Sequence, residues 1–130
     1  MIILTIRTDK PEAEIGLFND DEQLLYETWQ AHRELAETIH LRIKQCLESQ
    51  KLSLQQLGGL VVFQGPGSFT GLRIGMSVAN ALASSLNVPI VGAKDDYWLV
   101  SGRAALLHGV NDKIVLPEYG ALPNVSTPKK

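Results

Sequence analysis

The 130-residue chain has one cysteine, Cys46. An internal disulfide is therefore excluded, and so is any zinc or iron–sulfur site built on several cysteines. The apolar neighbours Ile43 and Leu47 predict a buried, inert thiol rather than a nucleophile. No apolar run approaches the roughly 18 residues that span a bilayer. The start, Met1-Ile2-Ile3-Leu4-Thr5-Ile6-Arg7, has no basic segment before a long apolar stretch and does not read as a signal peptide. A cytoplasmic location without membrane association is the expectation. Charge of one sign is also scarce: 12 Lys and Arg face 14 Asp and Glu, a formal net of −2. That balance lacks the basic excess of a polyanion binder and disfavours direct nucleic-acid binding by this chain.

Side chains that would build a catalytic or metal site are few. The three histidines are His32, His40 and His108. His32 and His40 stand eight apart, not the i, i+4 spacing that sets two imidazoles side by side on a helix. Solvated or capping roles are expected for them, and no metal or cofactor. Asp20-Asp21 and Asp95-Asp96 are adjacent in sequence, so their carboxylates point apart or into solvent and make poor acid–base pairs. No catalytic residue is assigned.

What is present is an ordinary globule, 45% hydrophobic and 20% charged. One domain is expected over residues 1–116, with an irregular tail over 117–130 that carries Pro117, Pro123, Pro128 and a terminal Lys129-Lys130. Ile2 to Ile6, Ala13 to Phe18 and Gln23 to Trp29 read as strands separated by turn residues, a meander of neighbours. The period then changes: Leu35, Ile39, Ile43 and Leu47 recur every four residues and predict a helix over about 32–50. Leu60-Val61-Val62-Phe63 suits a central strand covered on both faces. A helix from about Phe69 to Leu86, a short strand over Val88–Gly92, a helix over 95–108 and a strand over 113–116 complete the reading. The order β-β-β-α-β-α-β through Gly92 predicts an α/β fold: a mixed five-stranded sheet, an antiparallel meander beside parallel strands, covered by helices. Trp29 is expected to anchor the core where the third strand meets the first helix.

Gln64 to Gly75 carries the most information. Gly65 and Gly67 around Pro66 build a tight turn after a buried strand. Ser68 or Thr70 can cap the helix that follows. Phosphate-binding patterns fail here: five residues separate Gly65 from Gly71, Leu72 follows instead of Lys, and Thr70 stands where a dinucleotide fingerprint needs glycine. Within the helix, Gly71, Gly75, Ala79 and Ala83 recur every four residues, while Ile74, Val78 and Leu82 form a separate apolar row suited to the sheet. Two glycines inside a helix cost about 1 kcal/mol each relative to alanine, which asks for a compensating close contact. The small-residue stripe predicts close helix–helix packing, either on the chain's own first helix or on a partner. Arg73 beside it is either an ordinary surface residue or one that pairs with a partner carboxylate.

The eleven residues Gly65-Pro66-Gly67-Ser68-Phe69-Thr70-Gly71-Leu72-Arg73-Ile74-Gly75 resemble the signature of the TsaB (YeaZ) family, accessory proteins of tRNA threonylcarbamoyladenosine modification. Ile3-Leu4-Thr5-Ile6, Trp29 with Arg33, and Val88-Pro89-Ile90-Val91-Gly92 resemble the family's flanking elements. The resemblance implies a single ribonuclease H-like lobe of the actin/Hsp70/sugar-kinase type. It implies a non-catalytic subunit that docks through its first two helices on TsaD, the catalytic paralogue, with Arg33, Gly71, Arg73, Gly75, Ala79 and Ala83 at that interface. A TsaE-like ATPase would join the complex, tRNA would be met only indirectly, and a homodimer could form through the same helices. Gly65, Pro66, Gly67, Ser68 and Thr70 would be structural turn and cap residues. Arg7 stands where ATP-binding relatives carry a metal-holding Asp, and a cation there opposes Mg²⁺. The competing readings are a small nucleotide-binding or hydrolysing domain using the Gly65–Gly71 loop, and a degenerate scaffold that only dimerises.

Overall fold

A computed structural model describes residues 1–67 and 69–117, apart from the side chains of His32 and Phe69. The meander forms as read: β1 (Ile2–Arg7), β2 (Glu12–Asn19) and β3 (Glu22–Gln30) pair antiparallel in sequence order. Asp20, at a φ of 53°, opens the two-residue turn between β2 and β3, and its carboxylate accepts a 2.8 Å bond from the Met1 ammonium. β4 (Leu57–Gly65) and β5 (Ile90–Lys94) then add parallel on the other side of β1, giving the order β3-β2-β1-β4-β5.

Side chains alternate across a strand, so β1 feeds two layers. Leu4, Ile6 and Thr8 face one layer, and Ile3, Thr5 and Arg7 face the other. On the first lie α1 (Leu35–Ser49) and α2 (Phe69–Leu86); on the second lies α3 (Trp98–Leu107), whose Gly102 sits against Val61. Leu60, Val61 and Val62 are at most 1% exposed. Burial on both faces is why β4 reads as an unbroken apolar run rather than an alternation.

Helix α1 buries Leu35, Ile39, Ile43 and Leu47 as expected, and Cys46 with them. The Cys46 thiol donates to Glu27 at 3.4 Å, and burial beside that carboxylate pushes it up to about 12. Trp29 is core, 8% exposed; its indole N–H donates to Thr38 Oγ1 at 3.1 Å and Arg42 lies over its ring at 5.3 Å.

Three boundaries differ from the expectation. β5 begins at Ile90 rather than Val88, the Pro89 carbonyl accepting from Leu60 N–H at 3.0 Å. α3 is shorter than 95–108, because Asp95 at φ 65° stands outside the helix and Gly109 at φ 89° follows its end. Residues 113–116 are not a strand: they form an irregular strap across α2 and the β5 edge. Asn80 holds it on both sides of Val115, donating to its carbonyl and accepting from its N–H, each at 2.9 Å. Gln64 donates to the Leu116 carbonyl at 2.8 Å, and Val115 is 2% exposed. Of the expected tail, residues 118–130 lie outside the described residues. Among the described residues no helix is long and apolar enough to cross a membrane.

Candidate functional site

A turn through Pro66 and Gly67 follows β4. Gly65 takes a φ of 123°, a region closed to most L side chains, and the Gly65–Pro66 bond is cis. Gly67 packs against Asp9: a Cβ there would lie 3.3 Å from the carboxyl carbon and closer still to Asp9 Cβ. Ser68 lies outside the described residues. Thr70 is exposed in the first turn of α2, one residue past its start, so it does not occupy the capping position.

The small-residue stripe points inward, which corrects the interface reading. Gly75 faces Thr8 so closely that an added Cβ would collide with Thr8 Oγ1 and lie 3.2 Å from its Cβ and Cγ2. Thr8 Oγ1 donates to the Gly71 carbonyl at 2.7 Å. Ala79 and Ala83 are 0% and 3% exposed. Gly71, Gly75, Ala79 and Ala83 thus seat α2 on the chain's own sheet, chiefly over β1 and β4. Gly75, Ala79 and Ala83 are buried there, while Gly71 is half-buried beside the recess that Arg33 lines. The rows have exchanged places: Ile74 and Leu82 are half-buried and border the cleft between α2 and α1, with Val78 at its floor.

That cleft runs along α1 and α2 as two recesses. At one end a 400 Å³ recess is lined by Ala36, His40, Thr70, Arg73, Ile74, Ser77 and Val78. At the other a 360 Å³ recess is lined by Ile43, Lys44, Leu47, Leu52, Leu54 and Leu82, with His40 bordering both. Arg33, exposed, lines a further 350 Å³ recess with Lys10, Thr70, Gly71 and Ile74. Arg33 and Arg73 therefore bracket Thr70 and Ile74 at the N-terminal end of α2. Sequence reasoning had selected both arginines but had missed His40 and the Ile74–Leu82 row as lining residues.

Arg7 is held inside the molecule's own polar network. Its guanidinium makes two bonds to Asp9, at 2.8 and 3.2 Å, and stacks on Phe63 at 3.9 Å. Phe63 in turn meets Trp98 edge-on, with centroids 5.7 Å apart. Burial lowers the Arg7 pKa, but Asp9, Glu14 and Tyr26 outweigh it and leave the guanidinium above its ordinary value. Glu14 accepts from Lys10 at 3.0 Å and from the Tyr26 hydroxyl. Asp9, missed by sequence reasoning, thus joins the end of β1 to the Gly65–Gly67 turn. Among the described residues no three His, Cys, Asp or Glu side chains come together to hold a metal ion.

A family model described as TsaD, tRNA N6-adenosine threonylcarbamoyltransferase, matches residues 29–103, more than half of the chain. The tRNA threonylcarbamoyladenosine biosynthesis protein TsaB of Escherichia coli is 34% identical over 125 residues, covering 88% of this chain and 52% of that protein. The chain belongs to the TsaB (YeaZ) family. It spans about half the length of the E. coli relative. YeaZ from Pseudomonas aeruginosa superimposes with a TM-score of 0.67 at 22% identity, over 84% of this chain and 50% of that one. RuvC from Thermus thermophilus does so at 0.51 and 13% identity, over 72% and 64%. These likenesses establish the ribonuclease H-like fold.

Proposed function

We propose that the chain is a non-catalytic accessory subunit of tRNA threonylcarbamoyladenosine formation, and that it binds and stabilises a TsaD-like transferase through the outward side of α1 and α2. The observation that carries this reading is the open cleft between those helices. Its apolar row Ile74–Val78–Leu82 and its bracketing cations Arg33 and Arg73 suit a partner surface with apolar side chains and an acidic end. Family membership supports the process, since curated relatives carry both the TsaB and the transferase names. The bonded pair Arg7–Asp9 supports the accessory role. The cation at position 7 opposes a divalent metal, and Asp9 is already engaged by it. A TsaE-like ATPase and tRNA belong to the assembled complex in this reading, with the transferase making the tRNA contact.

Ser77 is exposed inside the cleft, so Ser77→Trp obstructs it without entering the core. On co-expression with the TsaD of the same organism, the unaltered chain should co-purify. Ser77→Trp should cut capture at least tenfold while circular dichroism and Tm stay unchanged. Undiminished capture by the variant overturns the assignment of the face. Micromolar binding of ATP with Mg²⁺ to the chain alone, read by calorimetry, overturns the accessory role in favour of a nucleotide enzyme.

A further inference from the structure

The strap carries the chain towards the α1–α2 cleft. Lys113 and Ile114 border Ser84 and Asn87, near the C-terminal end of α2. Leu116 and Pro117 border Arg73, Met76 and Ser77 in a 220 Å³ recess farther along the helix. The strap thus runs towards the N-terminal end of α2, pinned by Asn80 on Val115 and by Gln64 on the Leu116 carbonyl. Arg73 and Ser77 stand one turn apart and also line the 400 Å³ recess of the cleft. One ridge of α2 therefore separates Pro117 from the cleft.

Residues 118–130 continue from that point, thirteen in number. At about 3.3 Å per residue they reach roughly 43 Å, whereas the 18 residues of α2, at about 1.5 Å each, span roughly 27 Å. Their side chains match the cleft. Glu118, the first of them, leaves Pro117 at the cationic end marked by Arg73 and Arg33, and Tyr119, Leu122 and Val125 supply apolar cover for Ile74, Val78 and Leu82. Attachment at Pro117 makes the contact intramolecular, so a few apolar side chains suffice where a free peptide would not stay. We propose that residues 118–130 cross the Arg73–Ser77 ridge and occupy the α1–α2 cleft of their own chain, with Glu118 beside Arg73 and Tyr119 on Ile74. On the reading of the function given above, the segment lies where the transferase docks, and the two exclude each other.

A nitroxide on Ala121→Cys reads the contact in the full chain by NMR. Cys46 is 1% exposed with its thiol pushed up to about 12, so the label goes to the introduced cysteine at neutral pH. Amide signals of Ala36, His40 and Ser77 should broaden at least threefold more than those of Val100 and Leu107 on α3. Tyr119→Ser with Leu122→Ser should cut that difference at least threefold, and so should Ser77→Trp. Isotope-enriched chain without a label, mixed with labelled chain, should keep its signals sharp. Broadening undiminished by Tyr119→Ser with Leu122→Ser means a tether that only passes the cleft. Broadening carried into the unlabelled chain means a second copy in the cleft. Either result overturns the proposal, as does the absence of broadening. On co-expression with the transferase, the chain with Tyr119→Ser and Leu122→Ser should be captured at least threefold better than the unaltered one. Equal capture overturns the mutual exclusion. Capture of neither, with the intramolecular broadening intact, overturns the docking of the transferase and leaves the segment in the cleft.

Discussion

Replacing Gly75 by alanine separates two accounts of α2 by the sign of one free energy. Were the glycine on an open helical surface awaiting a partner, alanine would stabilise the isolated chain by about 1 kcal/mol through helix propensity. In the structure the added methyl meets Thr8, 2% exposed and bonded to the Gly71 carbonyl at 2.7 Å. Thr8 directly follows the last residue of β1 and cannot retreat without moving the end of the strand. Overpacking of this kind costs about 1–3 kcal/mol. Loss of the Thr8 bond, leaving its buried hydroxyl unsatisfied, adds about 1–3 kcal/mol. Against a gain of about 1 kcal/mol, the net is a destabilisation of about 1–5 kcal/mol. At roughly 4 °C per kcal/mol for a chain of this size, Tm falls by roughly 4–20 °C. Urea denaturation of the chain, followed by circular dichroism, gives the free energy directly. Thr8→Ala in the same background removes the colliding hydroxyl and should recover at least about 1 kcal/mol as a coupling energy. A stabilised Gly75→Ala variant, or a coupling near zero, would refute the packing of α2 on β1 described above.

Two further outcomes follow from groups buried away from the cleft. The Cys46 thiol, raised from 9.0 to about 12, and the Tyr26 phenol, raised above its ordinary 10.0, both favour their protonated forms in the fold. Unfolding lets each ionise sooner, so their contribution is complete below about pH 9 and is lost as the pH climbs past it. Stability measured by urea titration should accordingly decline from pH 9 upward, and Cys46→Ala should remove the part that begins near 9; a flat profile between pH 8 and 11 would contradict both burials. Asn80→Ala strips both partners from Val115, and about 1–3 kcal/mol is the cost of each group left unsatisfied. Hydrogen exchange at residues 112–117 should then accelerate by at least tenfold while β1 and β4 stay protected.

The sheet was legible because its cues are local. Turn residues at 19–21 and the proline after Lys10 punctuate the meander, and the shift from a period of two to one of four marks α1 within a few residues. The apolar run at Leu60–Phe63 announces burial on both faces without reference to any other segment. The orientation of α2 was not legible. Its sequence shows two rows, one small and one large, but a helix pattern does not say which row meets the sheet. The deciding contact pairs Gly71 and Gly75 with Thr8, and the Thr8–Gly71 bond spans 63 positions. No spacing within α2 reports it. The strap at 113–116 was misread for a related reason: its partner is the Asn80 side chain, which takes the place of a neighbouring strand's backbone.

The exchange of rows alters what recognition on the α1–α2 side can be. A glycine stripe facing outward would admit another backbone at close range and would discriminate weakly, since small residues offer shape but little chemistry. The row that faces the cleft instead offers Ile74 and Leu82 with Arg33 and Arg73 at one end. Burial of such apolar side chains is worth about 1.5–3 kcal/mol each, and mismatched charge at the cationic end penalises a wrong partner. Selectivity then resides in side chains that can differ between relatives, while the glycines stay fixed by the distance from α2 to β1. Substitutions in the stripe should therefore act on folding and those in the cleft on partner choice. The two variants Gly75→Ala and Ser77→Trp, two residues apart on one helix, should divide along that line.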